Sequence, residues 1–181
     1  MKNRDALKLV IADDSRTIQS ALASDIDGMQ HILLVGQAFD VQQAIARIRE
    51  TEAEIVILDM NMPGGSGLDV LKAVSQQKAG PVCIVFSFQL ANIVRDCCIR
   101  LGAHACLRKP EDSEMLVNTI SAMTRNTLDA VRAGTLSIDD IAACQTAIAT
   151  HSNSTSHEHT RHTNAGNGHA RPPVRATAPA A

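Results

Sequence analysis

IVILDMNMPGGSG, residues Ile55–Gly67, decides how this chain folds. Ile55, Val56, Ile57 and Leu58 form an aliphatic run with no polar alternation, the pattern of a short strand covered on both faces. The run stops at a carboxylate, Asp59, and Pro63, Gly64, Gly65 and Gly67 then break regular structure. Asp59 is therefore expected where a buried strand meets an irregular loop. In an open parallel sheet ligands bind at that edge, which makes Asp59 a candidate acceptor for a phosphoryl group. The glycines read as a loop and helix start rather than a phosphate cradle, since neither GxxxxGK(S/T) nor GxGxxG occurs.

The same grammar recurs on both sides of this stretch. Leu7–Ala12 is an apolar run ending in Asp13 and Asp14, with Ser15 placed to cap a helix from Arg16 to Ile26. His31–Ala38 is a second strand, after which Asp40 caps a helix with Val41, Ala44, Ile45 and Ile48 on one face. A helix over Leu68–Val74 follows the central loop, and Val82–Phe86 forms a fourth strand ending in Ser87. A helix over Ala91–Leu101 closes on Gly102 as a C′ residue. Ala105–Leu107 is a fifth strand ending in Arg108, Lys109 and Pro110, and Ser113 is placed to cap a long helix reaching Val131. Five alternations of strand and helix predict an α/β fold with a parallel sheet covered on both faces.

The chain of 181 residues suits one domain with a real core. It has no Trp or Tyr and three Phe, so that core must be aliphatic. The formal charge of −2 argues against nucleic acid as the main partner. Residues 151–181 hold three Arg against one Glu, so the acidic excess lies ahead of them. The five cysteines, Cys83, Cys97, Cys98, Cys106 and Cys144, show no CxxC spacing and fit buried, reduced thiols of a cytoplasmic protein. Cys97 and Cys98 lie on a helix with Ile93, Val94 and Leu101, which favours packing over redox sensing. No run reaches the roughly 20 apolar residues of a membrane span, and no signal-peptide pattern is present.

The domain plan reads as residues 5–133 for the α/β unit and 134–150 for a short C-terminal helix, with 151–181 as a His-rich polar tail. The short helix carries Ile138, Ile141, Ala142 and Ile148, either as a docking or dimer element or as a cover for the domain. The tail is expected to be disordered, having one branched aliphatic residue, Val174, with which to offset its ordering entropy. Its HxH at His157 and His159 is polar filler or a weak site for a transition metal.

Asp13, Asp14, Asp59, Ser87 and Lys109 all follow strands, so a doubly wound sheet gathers them at one edge. Crowded carboxylates raise one another's proton affinity, and a hard cation such as Mg²⁺, an oxygen binder that keeps several waters, relieves that. Phosphoryl transfer to Asp59 needs a nucleophile, charge neutralisation and a hydrogen-bond donor. Asp59, a cation with Lys109, and Ser87 supply these in turn.

With DD at 13–14, LDMNMPGGSGLDVL at 58–71, Ser87 and GAHACLRKP at 102–110, the chain resembles the receiver domain of two-component response regulators over about residues 7–130. The resemblance implies a flavodoxin-like sheet of order 2-1-3-4-5, one Mg²⁺, and phosphotransfer from a sensor histidine kinase or histidine phosphotransfer protein. By position it makes Asp59 the phosphoacceptor, Asp14 a direct metal ligand and Asp13 a ligand acting mainly through water. The backbone carbonyl of Asn61 completes the metal site. Ser87 stands where Thr or Ser is expected, and Lys109 is the phosphate-sensing lysine, followed by a cis prolyl bond.

Two positions depart from the family pattern. Cys106 replaces the usual aromatic three residues before the lysine, which puts coupling by an aromatic swing in question. Phe88 follows Ser87 where small residues are common, and would narrow access to Asp59. Asn61 and Gln89 flank the site without acid or base chemistry, so a long-lived phosphoryl group is expected.

Residues after 134 are too few for a second domain with its own core, which implies a stand-alone receiver. It would signal through protein contact at the fourth helix, fifth strand and fifth helix rather than through DNA, as a monomer or a phosphorylation-dependent homodimer. A phosphate sink and a phosphorylation-independent scaffold are the alternatives. An Asp-phosphate hydrolase is disfavoured because Asn61 replaces its second acid.

Overall fold

Register, more than strand length, determines what this sheet presents at its edge. In a computed structural model describing residues 5–75 and 80–143, five parallel strands are ordered β2-β1-β3-β4-β5. They are β1 (Leu7–Ala12), β2 (Ile32–Ala38), β3 (Ile55–Leu58), β4 (Val82–Ser87) and β5 (Ala103–Arg108). Leu58 is level with Ala12 on one side and Val85 on the other. Asp13 and Asp59 therefore leave the sheet side by side. On the far side Ser87 pairs with Arg108, which delivers Lys109 to the same edge.

Alternation along each strand divides the core in two. Leu7, Leu9, Ile11, Ile55, Ile57, Ile84, Phe86 and Leu107 point to one face, under α1 (Arg16–Asp27), α5 (Ser113–Ala122) and α6 (Arg125–Arg132). Val10, Ala12, Val56, Leu58, Cys83, Val85 and Cys106 point to the other, under α2 (Val41–Thr51), α3 (Gly67–Val74) and α4 (Asn92–Arg100). Full burial of one such aliphatic side chain contributes roughly 1.5–3 kcal/mol.

Local chemistry fixes the helix starts. Ser15 Oγ accepts from the Ile18 amide, and Asp40 Oδ1 accepts from the Gln43 amide at 2.7 Å. The Asp69 carboxylate accepts from the Ser66 amide at 3.0 Å at the head of α3. α4 has no side-chain cap and a single fully buried residue, Cys98. Its Ile93 is 72% exposed, so the apolar face expected for this helix is split. Gly102 follows α4 in the left-handed region at φ +95°, as its C′ role requires.

Three expectations need correction. The long helix after Lys109 is two helices, broken at Met123 and Thr124, because the Thr124 hydroxyl accepts from the Thr127 amide and restarts the helix. Its cap position is Asp112 rather than Ser113, and the Asp112 carboxylate accepts from the Arg108 amide at 2.7 Å instead of capping. The loop after Asp59 holds a two-residue hairpin, Asn61–Met62 against Gly65–Ser66. Gly67 closes it: a Cβ there would lie 2.6 Å from the Asp59 carbonyl oxygen.

Residues 138–143 are helical again, and Ile138 and Ile141 join the core beneath α5 and α6. This part of the short C-terminal helix covers the domain. Its remainder, Cys144 and the His-rich tail lie outside the described residues. Cys83, Cys98 and Cys106 are buried free thiols, and Cys97 is half-buried.

Candidate functional site

The strand ends converge. Carboxylate oxygens of Asp13, Asp14 and Asp59 all lie within 4.8 Å of one another, with Asp13 and Asp59 buried and Asp14 exposed. Lys109 Nζ lies 2.5 Å from Asp13 Oδ2 and 3.2 Å from Asp59 Oδ1, its side chain 2% exposed. Three carboxylates against one ammonium leave two negative charges, the deficit one divalent cation would fill. The donor set is all oxygen, as a hard cation requires.

Backbone donors orient the acids. The Ser15 amide donates to Asp13 Oδ1 at 2.8 Å, and the Asn61 amide donates to Asp59 Oδ2 at 3.1 Å. Asp59 Oδ1 is left buried without an aligned hydrogen bond, although Lys109 stands within ion-pair distance. Ser87 is wholly buried and its Oγ has no hydrogen-bond partner. A buried unpaired hydroxyl is destabilising by about 1–3 kcal/mol, so it marks a place where a further acceptor is expected. The Lys109 amide donates to the Ser87 carbonyl at 3.1 Å, and the Lys109–Pro110 bond is cis.

Phe88 is 60% exposed, and both its ring and that of Phe86 lie 5.4 Å from the Lys109 ammonium. Phe88 thus walls the lysine on the solvent side. Gln89 is exposed beside it. Cys106 is buried, and its carbonyl accepts from Arg95 of α4 at 2.5 Å. Burial pushes the Cys106 thiol up to about 12, with neighbouring Cys98 adding to the rise. Burial also raises the Cys98 thiol.

One residue of this region escaped the sequence reading. Gln19 is buried on α1, and its Nε2 donates at 2.7 Å to the carbonyls of both Asp13 and Ala38. It clamps the ends of β1 and β2 together. The signal was its place on the buried stripe of Gln19, Leu22 and Ile26.

A parallel sheet of this order with acids and a lysine gathered at its carboxyl edge defines a receiver-like α/β fold. The family model described as "Response regulator receiver domain" matches residues 9–121, more than half of the chain, and the chain belongs to that family. It is 28% identical over 118 residues to the transcriptional regulatory protein YdfI of Bacillus subtilis, spanning 65% of this chain and 55% of that one. It is 29% identical over 108 residues to protein-glutamate methylesterase/protein-glutamine glutaminase 1 of Caulobacter vibrioides, spanning 59% of this chain and 31% of the relative. The chain therefore spans about half or less of these relatives' length. Among solved structures, the response regulator domain of Thermotoga maritima CheB matches with a TM-score of 0.59 at 22% identity, over 68% of this chain and 97% of that one. A signal receiver domain from Vibrio parahaemolyticus matches at 0.61 and 18%, over 72% and 95%. The five-stranded order predicted from the resemblance is the observed one. No helix among the described residues is long and apolar enough to cross a membrane.

Proposed function

We propose that Asp59 accepts a phosphoryl group from a histidine kinase or histidine phosphotransfer protein, and that the modified domain signals by contacting another protein. The observation that carries this is an Asp59 Oδ1 with no hydrogen bond, 3.2 Å from Lys109 Nζ, together with an unpartnered buried Ser87 hydroxyl at the end of the strand that pairs with Arg108. The Asn61 amide holds Oδ2, leaving Oδ1 as the attacking atom. A carboxylate needs no base to be a nucleophile. Lys109 lies where it would balance charge on the transferred group, and Ser87 Oγ would donate to one of its oxygens.

Asp13, Asp14, Asp59 and the Asn61 carbonyl would hold Mg²⁺, which when bound neutralises phosphoryl oxygens. Neither Asn61 nor Gln89 can deprotonate a water, which supports a slow loss of the phosphoryl group. The exposed apolar residues Phe88, Ile93, Ile99 and Met115 support an output surface formed by α4, β5 and α5. A protein partner suits that surface better than DNA, given the acidic balance of the chain. Incubating the reduced protein with Mg²⁺ and a small acyl phosphate should add one phosphoryl mass to wild type and none to Asp59→Ala.

A scaffold reading draws on Cys106, where no ring is present to follow Ser87. A wild-type chain that gains no mass, yet captures the same partner as Asp59→Ala, would favour it.

A further inference from the structure

Three buried sulfur-bearing side chains share one core cluster on the α4 side of the sheet, from three separate elements. Cys98 Sγ of α4 lies 3.6 Å from Met60 Sδ, which belongs to the residue after Asp59. The Cys98 thiol also interacts with the Cys106 thiol of β5. All three residues are buried, at 0%, 6% and 2% exposure, in the same cluster of small aliphatic side chains. We infer that Met60, Cys98 and Cys106 form a binding site for one soft monovalent metal ion of the Cu(I) class.

The chemistry narrows the choice. Thiolate and thioether sulfur select soft ions. Structural zinc requires four ligands, and among the described residues no three His, Cys, Asp or Glu side chains gather except at the acidic edge. A disulfide is the poorer reading of the pair, because burial keeps both thiols protonated and protonated thiols are weak nucleophiles toward an oxidant. A metal ion instead displaces the protons as it binds. Two thiols and Cu(I) become a dithiolate complex, with Met60 as the third sulfur, two protons released to solvent and no change of oxidation state. The complex carries one negative charge. Arg95, which donates to the Cys106 carbonyl, lies beside it and already favours the Cys106 thiolate.

Access is through α4, which lacks a side-chain cap and is anchored by Cys98 alone as a fully buried residue. Cys97, half-buried one position earlier, already accepts from Arg100 at 3.0 Å and is no part of the site. A bound ion would pin α4 to β5 and to the residue adjoining Asp59.

The test is anaerobic titration of the reduced full chain with Cu(I) against a chromophoric Cu(I) chelator. Wild type should retain one equivalent and release two protons per ion. Cys98→Ala with Cys106→Val should retain none, and Met60→Leu should bind about tenfold more weakly. Because Cys144 and the tail histidines also bind copper, a chain with Cys144, His151, His157, His159, His162 and His169 changed to Ala should still hold the equivalent. X-ray absorption of the wild-type complex should show sulfur neighbours only, which decides the matter even if the cysteine variant unfolds. Full surrender of copper to the chelator, undiminished binding by a folded cysteine variant, or a nitrogen and oxygen shell would overturn the assignment.

Discussion

The two edges of this sheet treat buried polar groups in opposite ways. At the amino edge most groups are matched, His31 Nε2 excepted: the Lys8 amide donates to Glu54, Glu54 pairs with Arg125 of α6, and Arg132 donates to the Gly80 carbonyl. The His104 Nδ1 accepts from the Cys83 amide at 3.2 Å. At the carboxyl edge Asp59 Oδ1 and Ser87 Oγ lie buried without a hydrogen bond, and Asp13 and Asp59 share one lysine with exposed Asp14 alongside. One edge is arranged for stability. The other retains unmet bonding capacity, and such places are where a structure has chemistry left to do.

The contrast can be broken most severely at Lys109. Lys109→Ala leaves Asp13 and Asp59 without their counter-charge and should cost about 3 kcal/mol by urea denaturation in chelator. Millimolar Mg²⁺ should restore part of that loss, and more of it than it adds to wild type. A variant as stable as wild type without Mg²⁺ would mean the acids are compensated in some other way.

Ser87→Ala should act with the opposite sign. Removing an unpaired buried hydroxyl should leave stability unchanged or raise it by about 1 kcal/mol, while shortening the lifetime of the phosphorylated protein measured by intact mass. A clear loss of stability would show that the hydroxyl is already bonded.

At the amino edge the expected effects are smaller and depend on pH. Burial lowers the proton affinity of His104, and Arg132 lowers it further. The stability linked to neutral His104 is therefore complete above its unfolded value of about 6.5 and is lost as pH falls through the lower folded value. His104→Gln, which keeps an acceptor for Cys83, should flatten that part of the stability profile. For Glu54, burial works to raise the value, but the bonds from Arg125 and the Lys8 amide outweigh it and the net shift is downward. Its contribution is complete above the unfolded carboxylate range and fades as pH falls through the folded value. Glu54→Gln should remove about 0.5 kcal/mol at neutral pH and the acid-side slope with it.

The sheet and its reactive edge were legible because polarity changes within one residue at Ala12–Asp13, Leu58–Asp59 and Leu107–Arg108. Such abrupt steps survive without knowledge of partners. The break between α5 and α6 was not legible, since Met123 continues the apolar pattern and the cap that overrides it is a threonine pair, Thr124 and Thr127. Contacts between distant positions were equally hidden. Glu54 and Arg125 are separated by 71 residues, and the sulfur contact from Met60 to Cys98 spans 38. The role of Gln19 required knowing that two carbonyls end side by side beneath it.

Gly67 leaves no room between its own backbone and that of Asp59. Asp59 and the hairpin after it are consequently one mechanical part: any side chain introduced at position 67 must push the Asp59 carbonyl aside. An engineer seeking to retune this loop would have to vary Pro63, because Gly64 at φ +81° resists a side chain, and leave the hinge at Gly67 alone.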